Sequence, residues 1–155
     1  MLLAALDYSS LYKLCEHLDI PAIQSLLSSS SPSTRTFLFS YQNKYGWTPL
    51  YRACVYGHLQ IVEMLLVAGT NKETPNKHGC TPLHVACKAG HDRVVLMLLS
   101  AGANKETPNN DGKTPLWFAS LSLLSKSDHW SLKIIINPLI RFRSGKRFWS
   151  ASSGS

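Results

Sequence analysis

The sequence has no run of apolar residues long enough to cross a membrane. Its longest aliphatic stretch near the C-terminal end, IIINPLI at 134–140, is far shorter than the roughly 20 residues that a spanning helix needs. The first residues, MLLAALD, carry no cationic side chain and reach an acid at Asp7, so a secretory signal is not expected. We therefore expect a soluble, intracellular protein, cytoplasmic with the nucleus as the alternative.

Motifs that carry catalysis are also missing. The sequence contains no nucleophile elbow, phosphate-binding loop, HExxH helix or paired carboxylates, and its 9 acidic residues are scattered. We expect no enzyme activity, no cofactor and no small-molecule substrate.

Charge is scarce and unevenly placed. Charged residues make up 16% of the 155 and hydrophobic residues 45%, a composition that is typical of a folded chain. The net charge is +7, but four cations, Arg141, Arg143, Lys146 and Arg147, lie within seven residues. The other 12 basic residues face 9 acids, so the body of the chain does not have the charge of a general nucleic-acid binder.

A 33-residue repeat is the strongest feature that is present. The hexapeptide NKETPN occurs at 71–76 and again at 104–109, and Thr-Pro-Leu recurs at 48, 81 and 114. Segments 43–75 and 76–108 share 21 of 33 residues. Such a period indicates a stack of small units, each burying its apolar face against the next.

Each unit predicts a tight turn followed by two helices. In the unit 76–108, Asn and Gly mark the turn, Thr81 is a suitable N-cap and Pro82 suits the first helical position. Gly90 is predicted to end the first helix, and Gly102, like Gly69 one unit earlier, to adopt the left-handed conformation after the second. The predicted helices lie near 48–56, 58–67, 81–89 and 91–100.

The signature Thr-Pro-Leu-His-Val-Ala at 81–86 resembles the ankyrin repeat, with Gly90-His91 and LLSAGAN at 98–104 fitting the same family. The resemblance implies an all-α, ankyrin-type solenoid of about four helix pairs joined by hairpin-like loops. It also implies that His84 hydrogen-bonds within its turn; Tyr51 and Trp117 occupy the His position in the neighbouring units. We divide the chain into five segments: a degenerate N-terminal capping repeat with a Ser-rich loop at 1–42, ankyrin repeats at 43–75 and 76–108, a degenerate C-terminal repeat at 109–140, and a basic, disordered tail at 141–155.

The function that the resemblance implies is non-catalytic binding of a partner protein on a concave surface built from hairpin tips and first helices. Within that frame the unit 43–75 offers three large aromatic residues, which favour a binding hot spot. The predicted partner-binding residues are Tyr45, Trp47, Tyr56, Lys77, His78, Lys88, Asn110, Asp111 and Lys113. The alternative for Trp47 is that it packs onto the preceding unit and only covers the core.

Cys80, His84, Cys87 and His91 have a spacing that resembles a metal-ligand set. Three of them also hold repeat positions, and four ligands along nearly three helical turns cannot close round one ion, so we expect no metal site. Cys15, Cys54 and Cys87 share one repeat position and are predicted to be small buried hydrophobes rather than disulfide partners.

Two segments leave alternatives open. The serine tract at Ser28–Thr36 is read as a flexible loop, with phosphorylation at Ser31 as the alternative. The tail mixes Arg141, Arg143, Lys146 and Arg147 with aromatic residues. It supports a second hypothesis, in which the protein binds nucleic acid or an anionic membrane through the tail. A third is that the chain is a regulatory fragment of a larger protein.

Overall fold

The structure is a computed structural model that describes residues 9–125, with side chains described as far as residue 121. Within this range every regular element is an α-helix, so the all-α prediction is confirmed. The helices are α1 (Ser10–His17), α2 (Ile20–Ser29), α3 (Pro32–Ser40), α4 (Pro49–Tyr56), α5 (Leu59–Val67), α6 (Pro82–Ala89), α7 (Asp92–Ser100) and α8 (Pro115–Ser125).

The four helices of the two regular units lie within a residue or so of their predicted bounds. Each first helix begins at a threonine N-cap followed by proline, whose missing N–H costs nothing there. In α4 the Thr48 hydroxyl accepts a hydrogen bond from the Tyr51 N–H at 3.1 Å. After α5 and α7 come Gly69 and Gly102, with φ of 88° and 80°, which confirms the predicted left-handed positions.

The helices form two layers. The first helices α1, α4, α6 and α8 stack on one another, and the second helices α2, α5 and α7 form the layer behind them. Leucines at one repeat position, Leu11, Leu50 and Leu83, are buried in this stack. Small residues at two further positions, such as Ala53 and Cys54, are also buried and let the first helices approach closely.

The predicted burial of the repeated cysteines is confirmed. Cys15, Cys54 and Cys87 are buried, and all four cysteines of the chain, which all lie in the described range, are free thiols. Burial raises the pKa of Cys15 and of Cys87 to about 12, and it raises that of Cys54 as well. These side chains therefore behave as small apolar groups.

The prediction of a loop at Ser28–Thr36 is wrong, because most of this segment is helical. The α2 helix continues to Ser29, and the Ser29 hydroxyl donates back to the Ser25 carbonyl at 2.7 Å. Ser31 caps α3 by accepting from the Thr34 N–H at 3.2 Å, and buried Leu38 and Phe39 attach that helix to the core. The serine composition suggested a loop, but serine is also a preferred N-cap.

The N-terminal unit differs from the regular ones where its first helix ends. Gly57 and Gly90 end α4 and α6 in the left-handed conformation, with φ of 71° and 72°. The corresponding residue after α1 is Leu18, with φ of 56°, and it is the one described non-glycine residue with positive φ. A leucine side chain is strained in this conformation, so the degenerate unit carries a local cost that the regular units avoid.

The boundaries of the five segments stay predictions. Those at 43, 76 and 109 each fall on the asparagine that opens a hairpin turn. Residues 126–140 of the predicted C-terminal repeat and the tail at 141–155 lie outside the described residues. None of the helices found in 9–125 combines the length and the apolar character that a membrane span requires.

Candidate functional site

Three hairpin turns, at 43–47, 76–80 and 109–113, are built in the same way. The asparagine at the start of each turn accepts two backbone hydrogen bonds on its side-chain oxygen. For Asn43 the donors are the N–H groups of Tyr45 and Trp47, at 2.9 and 3.0 Å. Asn76 and Asn109 repeat the pattern at 2.9 to 3.0 Å. The side chains at the tips are therefore presented on a fixed backbone.

Successive hairpins are joined through their backbones. The Lys77 N–H donates to the Tyr45 carbonyl at 3.2 Å, and the Asn110 N–H donates to the His78 carbonyl at 3.1 Å. The turn glycines allow this approach, since a Cβ on Gly46 would lie 2.9 Å from the Lys77 nitrogen. The three tips form one continuous wall.

A tyrosine or histidine on each of the first helices α1, α4 and α6 connects the unit to the hairpin that follows. The Asn43 amide donates to the Tyr12 hydroxyl at 2.8 Å, and the Asn76 amide donates to the Tyr51 hydroxyl at 3.0 Å. Burial raises the pKa of both phenols, so they remain neutral. Tyr51 thus departs from the family signature but supplies a contact of its own to the next unit.

His84 makes the corresponding connection in the second regular unit. Its Nδ1 accepts from the Thr81 N–H at 3.0 Å, which confirms the expected hydrogen bond within the turn. Since Nδ1 accepts, the ring proton is on Nε2, which donates to the Lys113 carbonyl at 3.1 Å. Burial lowers the pKa of His84, and the Lys113 carbonyl opposes this only in part.

The four residues with metal-ligand spacing are engaged separately. His84 has both nitrogens in hydrogen bonds, Cys87 is buried, and the His91 Nε2 donates to the Val55 carbonyl at 3.1 Å. The Cys80 sulfur faces the Asn109 amide at 3.5 Å. Among residues 9–125 no cluster of three or more His, Cys, Asp or Glu side chains could hold an ion.

A groove of about 730 Å³ runs between the wall of hairpin tips and the first helices α4, α6 and α8. Three successive units contribute to it. Its lining consists of Tyr45, Trp47, Tyr51, Val55, Asn76, His78, Cys80, His84, Val85, Lys88, Ala89, Asn109, Asp111, Lys113 and Phe118.

Most of the residues predicted for partner binding lie in this groove. Those that line it are Tyr45, Trp47, His78, Lys88, Asp111 and Lys113. The other three lie beside it. Lys77 and Asn110 are exposed on the tips, and Tyr56, 48% exposed, stacks on the His58 ring with centroids 5.5 Å apart. Their role in binding stays a prediction.

The neighbours of Trp47 are consistent with both roles considered for it, partner binding and packing at the junction with the preceding unit. It is half-buried, and its ring lies 5.8 Å from that of Tyr45 and 5.4 Å from that of Tyr51. It also packs on the guanidinium of Arg52, at 5.6 Å. Trp47 therefore both lines the groove and supports the junction with the N-terminal unit.

Arg52 is the link across that junction. Its guanidinium lies 5.2 Å from the Tyr12 ring and 4.9 Å from the Tyr56 ring, donates to the Tyr12 hydroxyl at 3.0 Å and forms an ion pair with Glu16. Two aromatic residues of the first regular unit, Trp47 and Tyr56, thus pack on the same cation.

A family model described as ankyrin repeats, in three copies, matches residues 5–109 and 65–138. The chain belongs to the ankyrin-repeat family. The comparison with curated proteins returned no match.

Ankyrin repeats are generally protein–protein interaction modules, and the family is typically non-enzymatic. In this ankyrin protein the groove lies on the face made of hairpin tips and first helices. The predicted partner-binding residues leave out four apolar residues of the lining, Val55, Val85, Ala89 and Phe118. The signal that could have found these residues is the repeat frame, because positions 55, 85 and 89 fall where the two regular units differ.

Proposed function

We propose that this ankyrin protein is a non-catalytic binding module that holds a segment of a partner protein in the groove. The observation that carries the proposal is a comparison of the two regular units. They differ at twelve positions, and six of these lie in the hairpin turn or in the first helix. Every one of the six supplies a lining residue of the groove in one unit or in both.

The chemistry of the lining supports binding of a chain segment rather than a reaction. The His84 nitrogens are both engaged in structural hydrogen bonds. Among the described residues, no side chain that lines the groove has a buried polar atom that lacks a hydrogen-bond partner. A small-molecule site instead relies on a few converging polar groups that orient the ligand.

The exposed aromatic residues supply the anchor. Tyr45 is 53% exposed at the tip of the first hairpin, although its backbone is fixed by Asn43. Aromatic side chains bury about 150–250 Å² each and dominate binding hot spots. The buried thiols of Cys15, Cys54 and Cys87 also suit a reducing compartment, and we include a cytoplasmic location in the proposal.

Affinity capture with the full chain, followed by mass spectrometry, tests this function. The wild type is compared with Tyr45→Ala combined with Trp47→Ala, and with Val67→Ala as the matched control. Val67 is 85% exposed on α5, in the layer of second helices, away from the groove. We expect a protein that is retained by the wild type and the control and lost by the double variant.

Thermal melting separates loss of binding from loss of folding. Because Trp47 also packs on Arg52, the single variant Tyr45→Ala is included, and it should melt like the wild type. A partner that both groove variants retain at wild-type levels would contradict the proposal.

A further inference from the structure

The groove is cationic as well as apolar. Lys88 and Lys113 line it, and Lys44 and Lys77 stand on the adjoining tips, against one acid, Asp111. Within residues 9–125 no carboxylate lies in ion-pair distance of these four lysines. Two of them lie on aromatic rings instead, with the Lys113 nitrogen 4.3 Å from the Trp117 centroid and the Lys44 nitrogen 5.0 Å from that of Tyr45.

The two ends of the groove differ in chemistry. Tyr45 and Trp47 lie at the end formed by the first regular unit, and Val55, Val85 and Ala89 continue the apolar surface along the floor. Lys88 and Lys113 lie towards the other end, contributed by the two later units. Asp111 belongs to the same hairpin as Lys113, so an occupant that covers both ends meets an aromatic surface at one end and two cations with one carboxylate at the other.

We propose that the occupant is an acidic peptide segment of a partner protein, with an apolar side chain against Tyr45 and Trp47 and Asp or Glu side chains facing Lys88 and Lys113. This inference rests on the proposed function and adds the chemistry of the partner. Covering the lysines without carboxylates would remove water from unpaired charges, which disfavours neutral and basic segments.

Two other occupants, a nucleic acid and the chain's own C-terminal segment, fit the groove less well. A nucleic acid would leave the apolar lining residues Val55, Val85 and Ala89 without apolar contacts, because its backbone offers only sugars and phosphates. The chain's own C-terminal segment carries Arg141, Arg143, Lys146 and Arg147, so it would meet like charges at Lys88 and Lys113.

The test selects peptides that bind the full chain from a library of random displayed dodecapeptides. It then asks which of the selected peptides depend on the groove. We expect the selected peptides to be enriched in Asp and Glu on one side of a Phe, Leu or Trp. A fluorescein-labelled peptide of the selected sequence is then titrated by anisotropy against variants at two salt concentrations. Its affinity should fall as salt rises, because charge pairs at a groove rim are screened.

The decisive variants reverse charge inside and outside the groove. Lys88→Glu with Lys113→Glu should weaken the peptide at least about tenfold, because like charges then face each other. The matched control, Arg93→Glu with Lys105→Glu, makes the same change in net charge away from the groove and should weaken it at most about threefold. If the charge-reversed variant melts at a lower temperature than the wild type, Lys88→Ala with Lys113→Ala replaces it in the titration.

The outcomes distinguish the two proposals. Selected peptides that are neutral or basic, yet lose binding in Tyr45→Ala, would overturn the acidic partner and leave the binding module standing. A twelve-residue oligo-dT that binds more tightly than any selected peptide, and that depends on Tyr45, would overturn the peptide class. If no selected peptide depends on Tyr45, both proposals fail for this groove.

Discussion

The two regular units have the same backbone conformation and differ in the side chains that they present to the groove. Tyr51 in the first and His84 in the second occupy the same repeat position, and each hydrogen-bonds to the hairpin that follows, one to the Asn76 amide and the other to the Lys113 carbonyl. At the tips, Tyr45 corresponds to His78 and Trp47 to Cys80. The comparison teaches that the turns and helix ends keep the fold, while the groove positions are free to give one end aromatic and the other cationic character.

The largest effect is expected where the units are the same. Leu50 and Leu83 are both buried, so Leu50→Ala and Leu83→Ala should each lower the free energy of unfolding by about 3 kcal/mol through lost contacts and a cavity. Urea denaturation followed by circular dichroism measures both. A loss below about 1 kcal/mol at either position would mean that the units do not share a core.

Tyr51→Phe removes the hydroxyl that accepts from the Asn76 amide. We expect a loss of about 1.5 kcal/mol, because the amide then lacks its partner at a partly buried site. Tyr45→Phe is the matched control, since Tyr45 is exposed and its backbone rather than its hydroxyl holds the turn together. Equal melting temperatures for the two variants would show that the connection between units does not depend on this hydrogen bond.

Gly69→Ala and Gly102→Ala should cost about 1 kcal/mol each, from the strain of a Cβ at positive φ. A Cβ on Gly69 would meet no atom within 4 Å, and the nearest atom to one on Gly102 is the Lys72 Cε at 4.0 Å. The cost is therefore conformational and should be the same in both units. An unchanged or raised melting temperature would contradict the left-handed assignment.

Leu18→Gly should stabilise the protein by about 1 kcal/mol, the reverse of the preceding change. It replaces the strained residue after α1 by the one that the regular units use at Gly57 and Gly90. Leu18 is 48% exposed, so little buried contact is lost. The control is Leu18→Ala, which keeps a Cβ and should gain less; a lower melting point for the glycine variant would refute the strain argument.

The smallest effect concerns pH. The pKa of His84 is lowered by burial, and that of His58 by burial and by His91, so below about pH 6.5 the unfolded chain binds protons that the native state does not. Stability should be constant from this pH up to about pH 8, and it should fall as pH drops towards the lowered values. His84→Tyr, which makes the second unit resemble the first, should reduce the slope, and Tyr51→His should increase it. Unfolding curves between pH 5 and 8 measure how steeply stability depends on pH in both variants. A pH dependence equal to that of the wild type would contradict the role given to His84.

The regular units could be predicted from the sequence because their signals are local. Thr81, Pro82 and Gly90 determine the start and end of a helix whatever surrounds it, and the structure places them as expected. The serine tract carries a similar local signal, since Ser31 caps α3 and Pro32 follows it, but its serine composition favoured a loop. The burial of Leu38 and Phe39 against distant parts of the core, which supports this helix, cannot be predicted from local residues. The groove was predicted only in part. The tip residues follow from the turn, whereas Val55, Val85 and Phe118 become neighbours only when the first helices stack.

The hydrogen bond from each hairpin to the preceding first helix has a consequence for the order of assembly. The Asn43 amide donates to Tyr12 and the Asn76 amide donates to Tyr51, so these two turns complete their polar contacts on a surface that an earlier part of the chain has formed. A chain emerging from the ribosome presents its units in that sequence. The array is therefore suited to fold one unit at a time during synthesis. Each folded unit offers the surface on which the next one packs, from the N-terminal unit towards α8.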